Sequence, residues 1–410
     1  MTEFSRTIQV YKNKVIDRKT RIFALILMLL SGGGLDIGNI VGYKGSTALF
    51  FLFVITIFLI NKITIRKDEL KAPLICIGLM LVAYIIKGAT FPIWCIAPVF
   101  IAFFSLALYR NCPHKFYEDF SDICRWYSYY SLISVILCLI LMNMVQNSNF
   151  YRYSHLYYIF WFVTSGGPHF MNELRVTGLA GEPGIWQMYL SFNLLFTLYE
   201  KKGNKELIIA ILSIVTIFST TSYFIMMTII LYYFTIIERK IKFSHIIVLV
   251  ILSLLFFDII YDNISEKLSG ASGLTRLSDI PIGIMYLQKN PFFGIDPSIT
   301  DESNDPALIA IKYAVWSSSK QIEEGYIDSG LCSGIMWFLL DYGLIFSFYL
   351  IYKLLKFPLI NNKKLYGGIL CILFLTFMTE PLSRTAFFYF LIMGTFIKFN
   401  WNNNNKILKQ

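Results

Sequence analysis

The sequence predicts an all-α polytopic membrane protein, a single domain over residues 1–410 whose helices cross a lipid bilayer about twelve times. Three observations lead there. First, 56% of the residues are hydrophobic and 17% aromatic, only 15% are charged, and the mean hydropathy is +0.60. A soluble domain carries roughly a quarter charged residues, and one of this size could not cover itself with so little polar surface. Second, apolar stretches recur at about 20 residues, the helical length that crosses a ~30 Å hydrocarbon core. Their apolarity is continuous rather than alternating, which argues against an outer-membrane barrel. Backbone groups in lipid must pair internally, so the spans are helices. Third, basic residues gather in alternate connections.

The spans are expected at 21–41, 46–61, 72–88, 91–109, 124–146, 183–200, 206–220, 222–237, 243–260, 330–354, 364–380 and 385–399. Lys and Arg of short loops mark the cytoplasmic side. They cluster in the leader (Arg6 to Arg21), at Lys62–Lys71, at Arg110, Lys115 and Arg125, at Lys201, Lys202 and Lys205, at Arg239, Lys240 and Lys242, at Lys353–Lys364, and in the tail at Lys398, Lys406 and Lys409. The opposite short loops hold Lys44, Lys87 and Arg384. Both termini are therefore expected in the cytoplasm. The net charge of +10 reads as a topology signal, and no nucleic-acid partner is expected.

The seven cysteines are scattered without a CxxC pair, which indicates neither a metal ribbon nor a disulfide framework. The apolar stretch after Arg21 runs into Ser31-Gly32-Gly33-Gly34 without a small-x-small cleavage site, so no cleaved signal peptide is expected. The stretch from Leu207 to Ile237 fits either one long bent helix or a hairpin hinged at Ser219–Ser222. The hairpin is preferred, because a single helix would separate the basic clusters on its two sides. It also puts the two long connections, 147–182 and 261–329, on one extracytoplasmic face. The first holds an aromatic run from Tyr151 to Trp161 suited to an interfacial helix. The second is too long to be structureless and is expected to be partly helical.

Candidate chemistry sits at these loops. Arg175-Val176-Thr177-Gly178 leads to Gly181-Glu182-Pro183-Gly184 directly before a span. A guanidinium grips phosphate oxygens bidentately at any pH, and a carboxylate in a partly dry mouth can act as a general base. The plainer role for Glu182 is to favour the helix N-terminus behind Pro183. Arg276 is a cation in a loop with twice as many acidic as basic residues, which suits either a specific site or an ordinary ion pair. Glu323-Glu324-Gly325-Tyr326 leads into a later span, and Arg384 follows Glu380-Pro381. Asp341 lies within a span, where an ionisable group is a functional candidate by default or pairs with a neighbouring helix. His155, His169 and Glu173 match no strong metal motif, and no metal or cofactor is expected.

Arg175-x-x-Gly178-x-x-x-Glu182-Pro183 resembles the signature of Wzy-type O-antigen and capsule repeat-unit polymerases. The hinge at Ser219–Ser222, Thr275-Arg276, Asn290-Pro291-Phe292-Phe293-Gly294 and Asp341-Tyr342-Gly343-Leu344 agree with it. The match covers residues 120–355. The related O-antigen ligases usually carry a His where this chain has Glu323-Glu324-Gly325-Tyr326, a departure that favours a polymerase. The resemblance implies a GT-C-like glycosyltransferase of a bacterial cytoplasmic (inner) membrane. Its donor and acceptor would both be undecaprenyl-diphosphate-linked oligosaccharides, with a chain-length regulator and a flippase of the same pathway as partners. It also implies Arg175 and Arg276 as diphosphate-binding and catalytic residues, assisted by Arg384 or Arg152. Glu182 would activate the acceptor hydroxyl or orient an arginine, and Glu324 and Tyr326 would orient the acceptor. A lipid-linked oligosaccharide flippase is the competing class.

Overall fold

The computed structural model describes residues 16–31, 37–88, 96–146, 162–163, 175–176, 183–217, 219–239, 271–295, 333–380 and 382–401. These form α1 (Arg18–Leu30), α2 (Ile37–Ile60), α3 (Lys71–Lys87), α4 (Ile96–Tyr109) and α5 (Lys115–Gln146). After them come α6 (Pro183–Tyr199), α7 (Asn204–Val215), α8 (Thr220–Tyr232, continued by a π-helical turn Tyr233–Ile237), α9 (Ala271–Lys289), α10 (Gly334–Leu354), α11 (Lys363–Phe377) and α12 (Ala386–Met393). The described strands, β1 (Phe162–Val163) and β2 (Arg175–Val176), pair antiparallel with Phe162 opposite Val176. Among the described residues the protein is all-α apart from this pair. The expected span 243–260 lies outside the described residues.

The described helices depart from the sequence reading at the first span and inside α10. Within the first expected span, 21–41, α1 ends at Leu30 with Ser31 as its C-cap, and α2 starts at Ile37. Among the described residues, Gly334–Leu354 is the one helix that is long and apolar enough to cross a bilayer by length and composition; Thr47–Ile60, Ile96–Tyr109, Thr221–Ile237 and Ala386–Phe396 are apolar but shorter.

Rings dominate the core between helices. Phe116 stacks on Phe120 at 5.5 Å and on Phe390 at 5.1 Å, and Phe192 meets Phe120 at 5.5 Å and Phe387 at 6.1 Å. Such offset and edge contacts add to the area they bury. Ser121, Ser128, Ser131 and Ser134 are buried on α5, where small residues let neighbouring helices approach closely. Ser128 accepts a hydrogen bond from Asn193 Nδ2 on α6 (2.8 Å). The outward faces are apolar as well: Leu52, Leu59, Ile85, Phe224, Phe348 and Phe374 are each more than half exposed.

One end of the bundle collects the basic clusters. Lys201 pairs with Glu238 at 2.7 Å, and Lys364 Nζ donates to the carbonyl of Ile237. Asn362 donates to the Tyr199 hydroxyl at 2.7 Å, and the Asn400 N–H donates to the carbonyl of Arg110 at 2.9 Å. Buried Arg110 pairs with buried Glu69 at 2.8 Å. Asp119, fully buried, accepts from Arg21 Nε at 2.9 Å and from Arg18 Nε at 3.3 Å, clamping α1 to α5. The Lys201–Glu238 contact also fixes α7 and α8 as a hairpin, since one helix over Leu207–Ile237 would hold its ends about 45 Å apart.

Candidate functional site

The opposite end of the bundle is where helix termini meet. α6 begins with Pro183 at its first position, where its missing N–H is no loss, followed by Gly184. A methyl group at Gly184 would overlap the Glu380 carboxylate, so that carboxylate lies directly on the first turn of α6. A methyl group at Gly334, the first residue of α10, would overlap the Glu380 carbonyl. The N–H of Ser333, the N-cap of α10, donates to Oδ2 of buried Asp279 on α9 at 2.6 Å. The Ser333 hydroxyl donates to the carbonyl of Met378, the C-cap of α11. A 3-10 turn, Leu382–Arg384, then leads to Thr385, whose hydroxyl caps α12 by accepting from the Phe388 N–H. Four segments thus form one mouth: the start of α6, the middle of α9, the start of α10 and the α11–α12 turn.

Two of the candidate residues lie on the segments of this mouth. Arg276 lies on α9 one turn before Asp279, and Arg384 ends the 3-10 turn four residues after Glu380. Arg175 lies in β2, which packs against α5. Glu182, Arg152, Glu324 and Tyr326 lie outside the described residues, as do His155, His169 and Glu173. Glu182 immediately precedes Pro183 in the chain. Sequence reasoning did not single out Asp279, although it falls on the same helical face as Arg276 three residues on. It noted Glu380 only as a neighbour of Arg384.

Below the mouth α10 is broken. Gly343 has φ 65° and ψ 175° inside the helix, a region essentially reserved for glycine. The turn after α9 fills the break. Leu344 N–H donates to Pro291 O at 2.9 Å, Ile345 N–H to Phe292 O at 3.3 Å, and Ile295 N–H to Leu340 O at 2.9 Å. The two motifs Asn290–Gly294 and Asp341–Leu344 are therefore bonded to each other, and these bonds pair backbone groups freed by the break, as a low-dielectric interior demands. The residues from Asp279 to Ile295 belong to the long connection expected to be partly helical; they include the second half of α9 and lie against α10.

Asp341 sits beside this break, buried, and accepts from the Tyr84 hydroxyl of α3 at 2.8 Å. Lys87 Nζ donates to its carbonyl, and the hydroxyls of Tyr342 and Tyr389 are 2.8 Å apart. Of the two readings of Asp341, pairing with a neighbouring helix is the one observed.

A cavity of about 390 Å³ opens at the basic end, lined among others by Arg18, Arg21, Lys115, Arg125, Asp122 and Glu200. Its cations face carboxylates: Arg18 bonds Asp119 and Asp122, Arg125 bonds Asp122 at 3.0 Å, and Lys115 bonds Glu118 at 2.8 Å. This is a neutralised ion-pair network that closes α1 and α5.

Taken together, fold and site define a helical bundle with a basic end and, opposite it, a mouth built from helix termini. Comparison with protein-family models, with curated proteins and with solved structures finds no match for this chain.

Proposed function

We propose that the protein is a polytopic membrane glycosyltransferase, GT-C-like with about twelve spans, that polymerises undecaprenyl-diphosphate-linked repeat units on the extracytoplasmic face of a bacterial inner membrane. The observation that carries this reading is the meeting of α6, α9 and the α11–α12 turn at the end opposite the basic clusters. These three elements bear, or directly follow, Glu182, Arg276 and Arg384. The apolar outward faces support the bilayer. The gathering of basic clusters at one end supports a cytoplasmic assignment for that end.

In this reading the acceptor sugar hydroxyl attacks the anomeric carbon of the donor glycan while the bond to the lipid diphosphate breaks. The diphosphate leaves with the electron pair. Glu182 takes the hydroxyl proton, or orients an arginine. Arg175 and Arg276, with Arg384 or Arg152, neutralise the charge that develops on the leaving group. Fixed guanidinium groups do this best where water is scarce, because no reorganisation is needed during reaction.

Among the described residues, the break in α10 beside Asp341 is the feature that favours transport, since transporter sites use broken helices and intramembrane charges. Its gap, however, is filled by the chain's own Pro291–Ile295 turn. Reconstitution of the purified protein with lipid-linked repeat units separates the readings. Polymer on the lipid carrier is the expected product. Transfer to a different acceptor would mean a ligase, and flipped but unchanged substrate a transporter. Arg276→Lys should lower polymerisation by about a hundredfold while membrane insertion stays normal, because charge remains but the planar fork is lost. Chain lengths near wild type in that variant would remove Arg276 from the site.

A further inference from the structure

We infer that Glu380 is a positioning residue of the mouth, holding the start of α6 in register with the start of α10. The inference rests on the transferase reading and adds to it a residue on the α11–α12 turn. Its basis is steric and electrostatic. The Glu380 side chain occupies the space that any side chain at Gly184 would need, and its carbonyl does the same at Gly334. One residue thus registers the first turns of two helices.

Its charge is placed asymmetrically. Glu380 follows the C-terminus of α11, where a carboxylate is disfavoured by the helix dipole, but it lies on the N-terminus of α6, where one is favoured. The carboxylate is therefore drawn to α6 and away from its own helix. Gly184 is the residue that permits this contact. Alanine is the better helix former in general, so a glycine in the first turn of α6 makes sense where the Cβ space is taken. Two residues before Gly184 stands Glu182. A shift of α6 moves that carboxylate with it, and small misplacements of reacting groups reduce turnover steeply.

The test uses full-length protein in nanodiscs or proteoliposomes, with Gly184→Ala, Glu380→Ala, the double variant and Glu380→Gln. Thermal unfolding and glycan transfer between lipid-linked repeat units are measured for each. Gly184→Ala should lower the unfolding midpoint, and adding Glu380→Ala should restore it by clearing the overlap. Transfer should not return with stability: the double variant and Glu380→Gln should each lose at least about tenfold in kcat, with KM changed less than about threefold. Glu380→Gln within about threefold of wild-type turnover would overturn the positioning role. Equal midpoints for Gly184→Ala and wild type would overturn the contact itself. A wild type that transfers nothing would overturn the transferase reading and the role with it, even where the stability coupling persists.

Discussion

Glu200 shows how single residues at the basic end secure the bundle. It lies in the turn after α6 and accepts from Tyr117 at 2.6 Å and from Ser121 at 3.2 Å on α5, with Lys202 Nζ at 2.7 Å. Burial alone would raise its carboxyl, but the Lys202 ammonium and the two hydroxyls outweigh it and hold it below the ordinary value of 4.5. The native state thus binds this proton less readily than the unfolded chain does. The stabilisation is complete above the unfolded carboxyl's range and is lost as pH falls through the depressed native value. Unfolding midpoints of wild type and Glu200→Gln should differ at neutral pH and converge as the medium is acidified below 4.5; a constant gap would show that charge on Glu200 does not matter. Sequence alone gave no access to such partners. The basic clusters were readable because the topology rule acts on short windows. Arg21 and Asp119 stand 98 positions apart, and no spacing announces that they meet.

At the scale of elements, most helices were legible from continuous apolarity, and the interruptions were the harder part. Apolarity runs unbroken through α10, so the sequence offered one helix over 330–354, whereas the backbone breaks at Gly343 and receives the turn after α9. Hydropathy registers side chains, and this break is a backbone event supported from elsewhere in the chain. Gly294, at φ 76°, and Gly343 lie on the two sides of it: a methyl group on Gly294 would overlap the Leu340 carbonyl, and one on Gly343 the backbone of Phe292 and Phe293. Gly343→Ala should therefore destabilise the protein by about 1–3 kcal/mol from backbone conformation alone, with the overlap adding to it. The variant should show a lower unfolding midpoint in detergent and earlier proteolysis near Phe292. Wild-type stability in Gly343→Ala would mean that the helix can close without the docked turn.

At the scale of the whole molecule, the question is whether the two ends of the bundle are the two sides of a membrane. α6, α10 and α11 each have one terminus at the mouth and the other toward the basic end. The 17 residues of α6 rise about 25 Å, close to a bilayer's ~30 Å hydrocarbon core. The partition of charge was legible in the sequence because it depends on composition loop by loop. The mouth was legible only in outline, because it is assembled by Glu380, Asp279 and two glycines whose roles arise from distant contacts. Single cysteines at Asn172, Ser272, Lys201 and Asn361, with the native cysteines replaced, test the partition with a membrane-impermeant thiol reagent on intact cells. Asn172→Cys and Ser272→Cys should react from outside, while Lys201→Cys and Asn361→Cys should react only after permeabilisation. Labelling of 172 and 272 from opposite sides would separate Arg175 from Arg276 by the thickness of a membrane. Guanidinium groups so far apart could not share one diphosphate, because each must come within hydrogen-bond reach of the same small group of phosphate oxygens.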